Sequence, residues 1–154
     1  MDRDRKALVV GYGNRLRSDD ALGWHVIERL GTDPRVAGTE LLWRHQLTPE
    51  LCVDMAEASL VVLVDAAANI APAQIEVREV EAAPTTVALM THHIDPGNLA
   101  AMALELQGRV PPVYLVSVGV VSLSEGDGLS PEVERAIPAV LDVVAGLVAG
   151  RGVA

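Results

Sequence analysis

Leu60-Val61-Val62-Leu63-Val64-Asp65 is apolar at five successive positions and then ends on a carboxylate. A strand without polar alternation has to be covered on both faces, the condition of a central strand in a parallel sheet between helix layers. Working outward, Ala7-Leu8-Val9-Val10 reads as a first strand and Thr39–Trp43 as a second. Val113–Val118 reads as a further buried strand. Gln74–Val80 alternates Ile75, Val77 and Val80 with Glu76, Arg78 and Glu79, which suits an exposed edge strand.

Helix-period segments fall between these runs. Ser18 or Asp19 can cap a helix to Leu30 that buries Leu22, Val26, Ile27 and Leu30, with Gly31 as its stop. Thr48-Pro49 opens a second helix through Ala58. Asp95-Pro96 opens a third, with Leu99, Met102, Ala103 and Leu106 inward and Gly108 ending it. Ser130-Pro131 begins the last, on Val133, Ile137, Leu141, Val144 and Val148, and Pro138 is expected to bend it. Strands alternating with helices predict one α/β domain over residues 1–154. It has three layers: a twisted, mostly parallel sheet of about five strands with helices on both faces, the exposed edge strand being the candidate for antiparallel pairing.

Composition narrows the function. A chain of 154 residues, half of them hydrophobic, can bury a substantial core; without Phe, that core must be Val, Leu, Ile and Ala. A formal net charge of −9 disfavours nucleic acid and anionic membrane surfaces, which require clustered Lys and Arg. The single cysteine, Cys52, cannot form an internal disulfide and sits among Leu51 and Val53 as a small core residue. The charged opening and the early Gly11 and Gly13 fit neither a signal peptide nor a spanning helix. A cytoplasmic protein is expected, with no nucleic acid or membrane partner.

Chemistry in such a sheet collects beyond the carboxyl ends of the strands. Asp20 follows the first strand through Gly11-Tyr12-Gly13-Asn14-Arg15-Leu16, and Asp65 closes the third. The glycines suggest a dinucleotide turn, but Leu16 replaces its third glycine and no acidic residue ends the second strand. For strand order 2-1-3, strands one and three are neighbours about 5 Å apart, so Asp20 and Asp65 face one crevice. Two carboxylates that close repel unless a cation lies between them. Each also has a plain alternative: first-turn aspartates favour the helix dipole, and one of Asp19 and Asp20 is expected to cap. His92-His93, before the Asp95-Pro96 helix start, offers an imidazole as a third ligand. His25 and His45 read as solvent-facing or rim residues. No Gly-x-Ser-x-Gly elbow exists, so metal-assisted hydrolysis is the economical reading.

The blocks Val9-Val10-Gly11-Tyr12-Gly13-Asn14-Arg15-Leu16-Arg17-Ser18-Asp19-Asp20 with Gly23, Leu63-Val64-Asp65-Ala66-Ala67, His92-His93 and Gly128-Leu129-Ser130-Pro131 together resemble the hydrogenase maturation endopeptidases. The resemblance spans nearly the whole chain. It implies a cytoplasmic protease that trims the C-terminal extension from the large-subunit precursor of a nickel-iron hydrogenase, acting as a monomer. It places the family's metal ligands on Asp20, Asp65 and His92, with His93 as the alternative register, and the catalytic carboxylates on Asp20 and Asp65. The metal is then nickel supplied by the precursor, and other divalent ions can occupy the same ligands. Arg44, His45 and Gln46 fall in the segment that lines the substrate cleft of relatives. Two departures stand out: Asp20 occupies a position where some members have Glu, and Ala21-Leu22 replaces a glycine-containing pair. The rival from another class is a non-catalytic metal-binding or chaperone-like module acting on a metalloprotein partner.

Overall fold

A computed structural model describes residues 4–83 and 94–150. Its sheet has the order β2-β1-β3-β5-β4, with β1 Leu8–Tyr12, β2 Glu40–Arg44, β3 Val61–Ala67, β4 Ile75–Glu79 and β5 Val113–Gly119. The first four in that order pair in parallel, and β4 joins β5 antiparallel. β3 lies at the centre, where its first four residues are buried on both faces. The alternating segment is the antiparallel edge, its exposure repeating every second residue as its charges require.

The pleat sorts side chains into two cores. Leu8, Val10, Val61 and Leu63 face α2 (Leu51–Glu57) and α3 (Pro96–Gln107), whose Leu51, Met55, Leu99 and Met102 complete that layer. Val9, Val62 and Val64 face the other way, onto α1 (Leu22–Leu30) and α4 (Pro131–Val148). Each fully buried Val or Leu contributes roughly 1.5–3 kcal/mol. Cys52 is buried in the first core, as its neighbours imply. α1 can lie this close to β1 because Gly11 and Gly23 face each other. A Cβ on Gly11 would stand 2.2 Å from the Gly23 carbonyl oxygen.

Several boundaries differ from the sequence reading. The first helix is not continuous from Ser18: a 3-10 turn, Ser18–Ala21, precedes α1, and neither start has a side-chain cap. Gly31 ends α1 with right-handed rather than left-handed geometry. The second helix begins at Leu51, after a turn in which the Leu51 amide bonds the Thr48 carbonyl. β3 runs through Asp65 to Ala67, because Asp65, Ala66 and Ala67 keep pairing with Ser117, Val118 and Gly119. α3 starts as expected, with the Asp95 side chain accepting from the Asn98 amide at 2.8 Å, and stops at left-handed Gly108. Leu106, expected inward, is exposed: from Leu104 onward the helix outruns the core. α4 continues through Pro138 as one helix. No helix among the described residues is long and apolar enough to cross a membrane.

Candidate functional site

The site grows from the turn that follows β1. Gly13 has φ 141°, and a Cβ there would sit 2.2 Å from the Asp20 carbonyl oxygen, so only glycine lets the loop fold back on the 3-10 turn. The Asn14 amide then donates to Asp20 Oδ2 at 2.7 Å, and Asn14 Oδ1 accepts from the Leu16 amide at 2.9 Å. This fixes one Asp20 oxygen; Oδ1 accepts no hydrogen bond from a described residue.

Asp19 has a different task. It is fully buried (0 % exposed) and accepts four bonds from distant chain: the amides of Val121, Ser122 and Ser130, and the Ser130 hydroxyl. Burial pushes its pKa up, but these donors outweigh it and hold the carboxyl below its ordinary value. Neither Asp19 nor Asp20 caps the helix that follows, contrary to the expectation that one would. Further bonds stitch the same two loops together. The Ser18 amide donates to the Gly126 carbonyl, the Ser18 hydroxyl to the Ser124 carbonyl, and the Gly126 amide to the Leu16 carbonyl. The stitching holds Ser18 at φ 48°, a left-handed backbone that costs a non-glycine residue about 1–3 kcal/mol.

Asp65 lies across the edge. Gly11 pairs with Val64, so one step further Tyr12 stands beside Asp65, and both lie on the side of the sheet covered by α2 and α3. Burial raises the Asp65 pKa to about 6; a hydrogen bond from the Tyr12 hydroxyl opposes this, and the negative charge of Asp20 adds to it. Burial and the Asp65 charge in turn keep the Tyr12 hydroxyl protonated, and the charge of Asp95 also reaches it. The structure thus brings Asp20 and Asp65 within electrostatic reach, as the strand order requires. His92 and His93 lie outside the described residues, which resume at Ile94 beside Asp95. Among the described residues no group of three or more His, Cys, Asp or Glu is placed to hold a metal ion.

Beyond Asn14 the loop opens into a groove of about 630 Å3, walled by Arg15, Leu16, Trp24, Trp43 and His45. The Arg15 guanidinium lies 3.8 Å from the Trp24 ring centroid and 5.8 Å from that of Trp43. Such stacking contributes about 0.5–1 kcal/mol at an exposed site. His25 meets Trp24 edge-on at 5.1 Å, and burial followed by the nearby Arg29 lowers its pKa. Of the three recognition candidates, His45 lines this groove. Arg44 turns back to donate to the Trp43 carbonyl, and Gln46 is exposed and not part of the groove wall.

The sequence assigns no role to Tyr12 or the Arg15–tryptophan cluster, and reads Asp19 only as a candidate helix cap. Tyr12 was within reach of it: placing strands one and three side by side sets the residue after Gly11 next to the carboxylate after Val64. Asp19 was not, because its partners lie over a hundred residues away.

No protein-family model matches the chain. It is 34% identical over 152 residues to the hydrogenase 2 maturation protease of Escherichia coli (strain K12), covering 92% of this chain and 90% of that protein. It superposes on the hydrogenase maturating endopeptidase HybD from E. coli with a TM-score of 0.73 and 29% identity, over 96% of this chain and 94% of HybD. The [NiFe] hydrogenase maturation protease HycI from Thermococcus kodakarensis shares the fold at a TM-score of 0.73 and 20% identity, over 94% and 92% of the two chains.

Proposed function

The chain belongs to the hydrogenase maturation proteases, and on that premise we propose that it removes the C-terminal extension of a nickel-iron hydrogenase large-subunit precursor once nickel is in place. Nickel enters as part of the substrate. Asp20 and Asp65 read it, with His92, or His93 in the alternative register, as the third ligand from the segment leading into α3. The same ligands would take other divalent ions.

One observation carries this reading: two carboxylates share a sheet edge, and the charge of Asp20 raises the pKa of a buried Asp65. An arrangement that is unfavourable in isolation becomes favourable when a cation arrives between them. Asp20 Oδ1 and the Asp65 carboxylate supply hard oxygen donors, and an imidazole adds the nitrogen that an intermediate metal favours. Tyr12 holds Asp65 in orientation, and the Gly13–Asn14 turn does the same for Asp20. A carboxylate of raised pKa is also a competent acceptor for the proton of an attacking water near neutral pH. Cleavage is then coupled to metal insertion, since a precursor without nickel does not bring the peptide to the carboxylates. The reaction takes place in the cytoplasm, on the protein precursor, by a monomeric enzyme.

The test mixes the protein with nickel-loaded and nickel-free precursor and follows the size shift on a gel. Loaded precursor alone should be trimmed, over many turnovers, and Asp65→Ala should abolish trimming. Wild-type rates in Asp65→Ala would remove the assignment.

A further inference from the structure

Among the described residues Arg15 is a cation without an ionic partner. Among the described residues its guanidinium makes no salt bridge and no hydrogen bond, only the two tryptophan contacts. Stacking on Trp24 orients the plane and leaves the N–H edge free, which is the geometry that takes a carboxylate in a two-pronged grip. Leu16, on the same groove wall, is a large aliphatic side chain left 68 % exposed. With the half-buried Trp24 and Trp43 it forms a continuous apolar wall beside the cation, the kind of surface that takes a partner. Asn14 is at once a wall of this groove and the residue whose amide holds Asp20, so the groove abuts the turn that positions that carboxylate.

We propose that this groove receives an extended segment of the protein substrate that carries an Asp or Glu side chain next to an aliphatic residue. The acidic group bonds Arg15 and the aliphatic one packs on Leu16 and the tryptophan faces. The inference rests on the reading of the chain as a peptidase acting at Asp20 and Asp65, and adds which sequence near the cut it selects. The field of the molecule does not help an acidic ligand, for the net charge is −9 and Asp127 also lines the groove. Selection therefore depends on Arg15 itself rather than on general attraction. His25 contributes ring surface rather than charge, since its surroundings favour the neutral imidazole.

Trp24 and Trp43 are the only two tryptophans in the chain and both line this groove, so tryptophan emission, excited clear of the two tyrosines, is a reporter placed at it. The probe is a terminally blocked peptide of two leucines and a valine around one glutamate, titrated against the same peptide with glutamine. The glutamate peptide should shift the emission saturably and bind about tenfold more tightly than the glutamine one. R15Q should erase that preference, and R15K should recover only part of it, because a lysine lacks the two-pronged grip. With precursor as substrate, R15Q should raise KM rather than lower kcat. Equal binding of the two peptides, a preference that survives R15Q, or unchanged emission at millimolar peptide would each overturn the proposal. Failure of the wild-type protein to trim loaded precursor would instead remove the peptidase reading, and the peptide titration would still decide the groove.

Discussion

The hydroxyl of Tyr12 stands beside the carboxylate of Asp65 at the edge where β1 and β3 run side by side, close enough for its hydrogen-bonding influence to lower the Asp65 pKa. That influence opposes burial, which otherwise drives the Asp65 pKa upward. Tyr12→Phe therefore leaves the strand pairing intact and removes only the donor. The Asp65 pKa should rise above about 6, visible as a displaced carboxyl titration by NMR, and precursor trimming at pH 7 should slow. An unchanged titration would mean the hydroxyl does not serve the carboxylate.

Asp65 itself stores free energy against the fold. Its pKa is about 6 when folded and near 3.8 otherwise, so the native state holds the proton more tightly. Its contribution to stability is full below pH 4 and is lost as pH rises through 6. Asp65→Asn removes the charge while keeping an acceptor for Tyr12. The variant should match the wild type at pH 4 and exceed it by up to about 3 kcal/mol at pH 8. Urea unfolding at the two pH values measures this, and trimming activity should vanish in the same variant.

Asp19 has the opposite sign. Its depressed pKa supplies stability that is present above the ordinary carboxylate pKa and fades as pH falls through the folded value. Asp19→Ala leaves three part-buried amides without their acceptor, at a cost of roughly 1–3 kcal/mol. The melting temperature should fall, and the loss of stability on acidification that Asp19 is expected to contribute should disappear. A variant as stable as the wild type would show that the two loops hold together without it.

The two glycines Gly13 and Gly108 separate strain from collision. Both have positive φ, but a Cβ on Gly108 meets nothing within 4 Å, while on Gly13 it strikes the Asp20 carbonyl. Gly108→Ala should cost about 1 kcal/mol of stability and leave trimming intact. Gly13→Ala should cost more and also impair trimming, since relief of the clash displaces Asp20. Parallel melting curves and gel assays compare them directly.

Much of this architecture could be read from local pattern. The unbroken apolar run of β3, the alternation of β4 and the Asp95-Pro96 start each state their environment within a few residues, and strand order follows from their connection. The adjacency of Asp20 and Asp65 came with that order. What pattern could not supply is partnership at long range. Asp19 looks like a helix cap from its neighbours, yet amides of residues 121, 122 and 130 satisfy it. Arg15, Trp24 and Trp43 belong to a loop, a helix and a strand, and only folding brings them to one wall. The inward assignment of Leu106 failed for a simpler reason: helical period marks a face but not where the core beneath it ends.

The stitching of the Asp20 loop to residues 121–130 has a consequence for synthesis. The donors that fix Asp19 emerge from the ribosome only after most of the sheet has been made. Until residues 121–130 are available, the strained turn at Ser18 lacks the partners that hold it, and the neighbouring Asp20 is held through the Asn14 amide alone. The turn that carries Asp20 is thus completed only after β5, the last strand along the chain, has been made.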